Sequence, residues 1–234
     1  MNKSWADATA EEITFWDKWL ETEGLEWPDD YRKRFDKNSA FSKYYLQFLS
    51  EDTPEAHVLD VGSGPITHLG YKAPGIMLHI TATDPLAEQY DELFRKHKVS
   101  PPVKTQYCKA EELSTSLPEN YYHLVTARNS LDHSENPLQC LHEMVKVCRE
   151  GGWILLNHAE NEGENENYQG LHYWNFKRVN GAFIITSKDD HYINVNDELG
   201  LLADIQVDDI PSHVQVKMQK KRPVAQSITG KKAV

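Results

Sequence analysis

Cysteine is scarce in this chain: three residues in 234, at Cys108, Cys140 and Cys148. An odd count without metal-ligand spacing excludes a disulfide framework and a cysteine zinc site. Cys140 and Cys148 fall on a predicted helix and read as buried thiols, and Cys108 reads as a packed thiol beside a strand end. Long hydrophobic runs are also missing. No stretch approaches the roughly 18 apolar residues of a membrane span, and the polar N-terminal stretch carries no signal-peptide core. The expectation is a cytoplasmic protein with no membrane partner. Positive charge is in deficit, with 25 Lys and Arg against 36 Asp and Glu and a formal net charge of −11. Such a field repels polyanions, so nucleic acid is not an expected partner. The one basic cluster, Lys217, Lys220, Lys221 and Arg222 followed by Lys231 and Lys232, lacks interleaved aromatics and reads as a strand rim and tail. Internal repeats and low-complexity tracts are absent.

What is present suits an enzyme. With 39% hydrophobic and 26% charged residues the chain can bury a proper core, and α/β folds of this length form one unit with additions. The most informative stretch is VLDVGSGP, Val58 to Pro65. An apolar strand ends at Asp60 and runs into a turn with glycine at alternate positions, Gly62 and Gly64. Glycine there permits positive φ and close approach of a ligand to bare main chain, and a strand-turn-helix unit aims its N–H groups at whatever binds. A dinucleotide fingerprint needs a third glycine at position 67, where Thr67 stands, which weakens a nicotinamide or flavin reading. About 20 residues after such a turn a nucleotide site wants a carboxylate at the end of the second strand, to accept bonds from ribose hydroxyls. Asp84 closes Ile76 to Asp84 there, and Pro85 opens a helical segment. Further strands are expected at Val103 to Cys108, Tyr122 to Ala127 and Trp153 to His158. Pro137 opens a helix with Leu138, Leu141, Val145 and Cys148 on one face, ended by Glu150-Gly151-Gly152.

The D-x-G-x-G string with its ordered successors resembles the class I methyltransferases that use S-adenosylmethionine, over roughly residues 55 to 160. That resemblance implies a Rossmann-like α/β fold: a seven-stranded, mostly parallel sheet with helices on both faces and an antiparallel last strand. It implies cofactor contacts from Asp60, Gly62, Ser63 and Gly64 of the turn and from Asp84 and Pro85. It also implies Ala110 and Glu111 beside the adenine, and Asn129 and Ser130 beneath the methionine part. WDKWL and EWP near the start, and NEGENENYQGLHYWNF later, are similar to bacterial surface-glycan methyltransferases. This second likeness implies a sugar or glycan precursor as acceptor, such as a nucleotide sugar or a phosphoramidate-type precursor, methylated at oxygen.

Around this core the chain divides into an N-terminal helical cap, residues 1–52, and a cofactor-binding domain, 53–234, with an insertion at about 159–197. In the cap, Thr9 and Glu12 form a capping box, and Ile13, Trp16 and Leu20 recur at helical spacing; Trp27-Pro28 starts a second helix, and Phe41, Tyr44 and Phe48 mark a third. In the insertion, Ala182 to Ser187 and His191 to Val195 flank Lys188-Asp189-Asp190 as a hairpin. The aromatic block Tyr168, Tyr173, Trp174 and Phe176 either packs the insertion or stacks on a ring substrate, with Asn175 and His172 as hydroxyl partners. Methyl transfer to a hydroxyl needs a base, and histidine suits it. His158, at a rigid strand end, is preferred over His133 and His172. His158, Glu160, Glu162 and His172 offer ligand atoms, yet the glutamate stretch reads as a solvated loop and no metal site is expected. Other readings are a non-catalytic cofactor-binding partner or sensor, and an RNA or protein methyltransferase, disfavoured by charge. The oligomeric state is open, a homodimer included.

Overall fold

The strand leading into the glycine turn, β1 (Glu55–Val61), lies in the middle of the sheet and is covered on both faces. Strands buried this way read as continuous apolar runs, which is what the sequence shows. In the computed structural model, which describes residues 5–50 and 53–223, four more strands follow: β2 (Met77–Asp84), β3 (Thr105–Tyr107), β4 (Tyr122–Arg128) and β5 (Cys148–Ala159). A separate antiparallel sheet comes next, β6 (Trp174–Val179), β7 (Ala182–Ser187) and β8 (Tyr192–Asn194), and then β9 (Ala203–Ile210) and β10 (His213–Lys220) complete the main sheet. The seven strands run β3-β2-β1-β4-β5-β10-β9, with β10 antiparallel to both neighbours. Strand order reverses between β1 and β4, the place where open α/β sheets bind ligands beyond their carboxyl ends.

Side chains alternate across the sheet with the two-residue period of extended chain. Leu59, Val61, Val125, Ala127, Ile154 and Leu156 enter one core, beneath α6 (Pro137–Val147) and α5 (Leu113–Ser116). Their neighbours Val58, Leu124 and Leu155 enter the opposite core with Phe41, Leu49 and Tyr45 of α3 (Lys43–Leu46). A third cluster joins Trp19 and Leu20 of α1 (Trp5–Glu21) to Tyr90, Leu93 and Phe94 of α4 (Ala87–His97), with Tyr31 and Phe35 of α2 (Pro28–Phe35) against it. The cap thus packs on the sheet's helical layer beside the glycine turn.

Several boundaries differ from the sequence reading. Helix α1 already runs from Trp5, so Thr9 lies inside it and is no cap, and Glu12 accepts a bond from the Trp16 indole at 2.7 Å instead. Helix α6 ends at Val147, and Cys148 opens β5, because a register irregularity against β4 and the positive φ of Gly151 let the double glycine join the strand. The aromatic block supplies a third strand, β6, to the expected hairpin. Three lysines of the basic cluster are engaged locally. Lys217 pairs with Asp208 at 2.7 Å, Lys221 with Asp204 at 3.3 Å, and Lys220 donates to the Cys148 carbonyl at 2.8 Å. Lys231 and Lys232 lie outside the described residues. Among those described, no helix is long and apolar enough to cross a membrane.

Asn175 holds the insertion together. It is fully buried, its Oδ1 accepts the Glu164 N–H of α7 (Glu162–Asn165) at 2.8 Å, and its Nδ2 donates to the Tyr168 hydroxyl at 2.8 Å. Asn175→Leu should therefore cost about 1 to 3 kcal/mol in urea unfolding, the penalty of stranding a buried donor. Hydrogen exchange should show the Glu164 amide losing protection. Unchanged stability with that amide still protected would place the clamp elsewhere.

Candidate functional site

After β1 the chain turns back on itself through Gly62, at φ +63°, and Gly64, at φ +65°. A Cβ on Gly62 would stand 2.4 Å from that of Ser130, and one on Gly64 would stand 2.9 Å from the Trp16 ring, so both positions demand glycine for conformation and for space. Asp84, at the end of β2, closes the turn. Its Oδ2 accepts the Gly64 N–H at 3.1 Å and its Oδ1 accepts the Leu86 N–H at 2.9 Å. Burial pushes the Asp84 carboxyl up to about 7; the bonds from Leu86 and Gly64 oppose this, and the Glu12 charge adds to it.

These residues open onto a cavity of about 690 Å³, open solvent at its mouth included. Six of the ten expected cofactor residues line it: Gly62, Asp84, Pro85, Ala110, Glu111 and Ser130. The other four do not line it and are engaged elsewhere. Asp60 is buried beneath the turn, where its carboxylate accepts the Thr67 hydroxyl at 2.6 Å and burial pushes it up to about 6. The Ser63 hydroxyl donates to the Gly64 carbonyl, the Gly64 N–H is given to Asp84, and Asn129 accepts the Ala159 N–H at 3.0 Å. Glu111 spends one carboxylate oxygen on the N–H groups of Glu135 and Asn136, at the N-terminus of α6, where a negative charge is favoured. Sequence reasoning missed the apolar walls Leu86, Leu131 and Leu171, and the contribution of α1 through Thr9 and Glu12. Leu86 was within reach, being two residues beyond the carboxylate. Cys108 is both buried and part of the wall.

Beside this cavity the three candidate histidines converge on one carboxylate. Asp132 and His133 sit on a 3-10 turn, Leu131–His133, just after β4. His172 Nδ1 lies 2.9 Å from Asp132 Oδ2, His133 Nε2 lies 3.3 Å from the same oxygen, and His158 Nδ1 lies 3.8 Å from Oδ1. Burial alone would raise the Asp132 carboxyl, but the charge of His133 and the polar interactions of His158 and His172 outweigh it and hold it well below the usual carboxylate range. Burial pushes the His172 ring toward its neutral form, whereas its bond to Asp132 and the charges of Asp132, Glu162 and Glu166 prevail and raise it. His158 is 2% exposed, packs edge-on against Phe176 and lines neither cleft, so the preferred base stands behind Asp132. His133 is the histidine in the cavity wall.

A second, polar cleft of about 1480 Å³, again counting open solvent, adjoins the first and shares Ser134 and Glu135 with it. Tyr168, Tyr173 and Trp174 line it with Lys188, Asp189 and His191. The aromatic block therefore divides, because Phe176 and Asn175 are buried in the core while the other three rings face the cleft. Asn175 is not placed to meet a ligand. Glu160 and Glu162 line neither cleft.

Residues 59–156 match the family model described as a methyltransferase domain. An uncharacterized methyltransferase of Schizosaccharomyces pombe is 25% identical over 126 residues, which cover 51% of this chain and 44% of that protein. The carbon methyltransferase of CurJ superposes with a TM-score of 0.52 at 16% identity, over 76% of this chain and 51% of that one. A protein of Methanococcus maripaludis described as an S-adenosylmethionine-dependent methyltransferase gives 0.51 at 12% identity, over 91% and 94%. The chain spans about half the length of the first two relatives. S-adenosylmethionine is the cofactor that goes with such a domain, and the cavity fits it: Gly62 in its wall, apolar walls for a flat ring, and an acidic edge at Asp84 and Glu12.

Ribose hydroxyls bound at Asp84 would donate to its ionised form, whereas burial pushes that carboxyl up to about 7 in the free protein. Cofactor binding should therefore release a proton below this pH and none well above it, with affinity rising as pH climbs toward 7 and then levelling. Calorimetry of S-adenosylhomocysteine in two buffers of different ionisation enthalpy measures the proton count. Asp84→Asn should bind more weakly and without pH dependence. An equal proton release in the variant would assign it to another group.

Proposed function

We propose that this class I, Rossmann-like methyltransferase domain, with S-adenosylmethionine as its cofactor, transfers the methyl group to an oxygen of a small polar acceptor. The favoured acceptor is a sugar or a glycan precursor, such as a nucleotide sugar or a phosphoramidate-type precursor. The observation that carries the reading is the Asp132 cluster at the junction of an apolar cofactor cavity and a polar, aromatic-lined cleft. Aromatic faces with interspersed amide, hydroxyl and charged groups are what a hydroxylated ring needs. The net charge of −11 and the local pairing of Lys217 and Lys221 both disfavour a polyanionic acceptor. Helices in 1–52 serve as the cap, because Trp16 closes over Gly64 and Glu12 reaches the cavity. The insertion at 159–197 forms the acceptor's wall, and the working location is the cytoplasm.

S-adenosylmethionine supplies an electrophilic methyl group on a sulfonium, and in-line displacement leaves alignment and proton removal to the protein. Asp84 and the glycine turn hold one reactant, and the second cleft orients the other. With protein groups alone, His133 takes the hydroxyl proton: its Nε2 faces Asp132, which leaves Nδ1 as the free acceptor and stabilises the ring once charged. His172 and His158 act as positioning residues through Asp132.

Replacing His133 by Ala should lower kcat about 10² to 10⁴ fold and leave the S-adenosylhomocysteine Kd nearly unchanged. Full turnover in the variant would leave alignment as the whole mechanism, and absent turnover in the native protein on every acceptor would favour a non-catalytic cofactor-binding partner or sensor. Acceptor class is checked by S-adenosylhomocysteine release across sugar nucleotides, hydroxylated metabolites and bulk RNA. Release should come from the small hydroxylated compounds, and faster methylation of RNA than of any of them would reverse the choice.

A further inference from the structure

The donor atoms around Asp132 form a nearly equilateral triangle. His172 Nδ1 to Asp132 Oδ2 is 2.9 Å, His133 Nε2 to the same oxygen is 3.3 Å, and the two nitrogens are 3.2 Å apart. Ligand atoms bound to one ion at about 2.0 to 2.2 Å stand roughly 2.9 to 3.5 Å apart at octahedral or tetrahedral angles. All three separations fall in that range. Hydrogen bonding serves the same triangle less well, since both rings can give an N–H to Asp132 only by bringing two donors within 3.2 Å of each other. A dication instead takes a lone pair from each atom.

A second observation concerns the far side of the carboxylate. Asp132 is 3% exposed and its Oδ1 has no hydrogen-bond partner, while His158, 2% exposed, has none on either ring nitrogen. The two face each other at 3.8 Å. A metal-ligating carboxylate characteristically has its other oxygen held by an outer partner, which fixes its direction and basicity. His158 stands in that place.

We propose that Asp132, His133 and His172 form a divalent transition-metal site of the zinc class, with His158 as the outer partner of Asp132. Two imidazole nitrogens and one carboxylate oxygen favour zinc, iron or cobalt over magnesium and calcium, which prefer all-oxygen sites. Three protein ligands leave a position open toward the cavity wall that His133 contributes. The ion would supply Lewis-acid stabilisation to a developing alkoxide; that role alone rests on the methyltransferase reading. Binding of the ion does not. It would also tie the insertion, through His172, to the core turn after β4.

Full-length protein stripped with chelator and dialysed is titrated with Co²⁺, following visible d–d absorption, and then with Zn²⁺ against a chromophoric chelator, without cofactor or acceptor. One Co²⁺ per chain is expected, displaced by Zn²⁺ and not by Mg²⁺ or Ca²⁺, together with a Zn²⁺-dependent rise in Tm. His172→Ala should abolish the spectrum and the Tm rise, and His172→Asn, closer in polarity and size, should do the same in a folded chain. His158→Ala should keep the spectrum and weaken Zn²⁺ binding about 10 to 100 fold. No saturable cobalt spectrum in the native protein, or one unaltered in folded His172 variants, overturns the site. Calorimetry with S-adenosylhomocysteine on the same preparation separates the two readings: cofactor heat without cobalt binding removes only the metal site, and cobalt binding without cofactor heat removes only the methyltransferase reading.

Discussion

A carboxylate taken out of water must be compensated, and Asp132, 3% exposed, finds its compensation in imidazoles from three separate parts of the chain. Moving an unpaired ion into the interior costs so much that the group would otherwise take up a proton. Here His133 comes from the same turn, His158 from the end of β5 and His172 from the segment before β6. The ionised carboxylate therefore draws the insertion onto the core sheet. The Tyr173 N–H to the Asp132 carbonyl at 3.2 Å and the Trp174 indole to the Ser134 carbonyl at 2.9 Å reinforce the same seam.

Asp84 shows the opposite solution to the same problem. It too is buried, but its partners are two backbone N–H groups and the Tyr90 hydroxyl, with the Glu12 charge nearby. Burial prevails, and the carboxyl stays protonated to about pH 7. One group is thereby held charged as a fixed electrostatic centre, while the other is poised to ionise when donors arrive. Two carboxylates some fifty residues apart in sequence thus divide two tasks by environment alone.

Much of this was legible before the fold was seen, for identifiable reasons. Strands β1, β4 and β5 carry apolar residues on both faces, so Val58 to Val61, Tyr122 to Ala127 and Trp153 to Leu156 stand out as runs. Gly62, Gly64 and Asp84 are local chemistry at fixed spacing; Gly62 and Asp84 line the cavity, and the Gly64 N–H is bound by Asp84. Strand β6 was hidden because Trp174 to Val179 includes a buried Asn175 and two cationic residues, which mask the alternation. The convergence at Asp132 was hidden for a different reason. Each histidine drew attention alone, but no periodicity links positions 132, 158 and 172, and only the parallel pairing of β4 with β5 brings the first two together. Asp60 carries the motif, and its carboxylate braces the turn through Thr67 without lining the cavity.

The short segment from Ser130 to Glu135 concentrates these demands. Ser130 packs where a Gly62 side chain would be and donates to the Val61 carbonyl at 3.2 Å, which fixes the turn against β1. Leu131 presents an apolar wall, Asp132 the charge, and His133 the polar face of the cavity. Ser134 receives the Trp174 indole, and the Glu135 N–H is capped by Glu111 at the start of α6. Leu131 and His133 line the first cavity, Asp132 between them is buried, and Ser134 and Glu135 line both clefts, so a shift of one residue would exchange a buried charge for an apolar wall. A 3-10 turn, with three residues per turn, spreads its side chains in three directions, and that geometry sends Asp132 into the interior while Leu131 and His133 on either side of it wall the cavity.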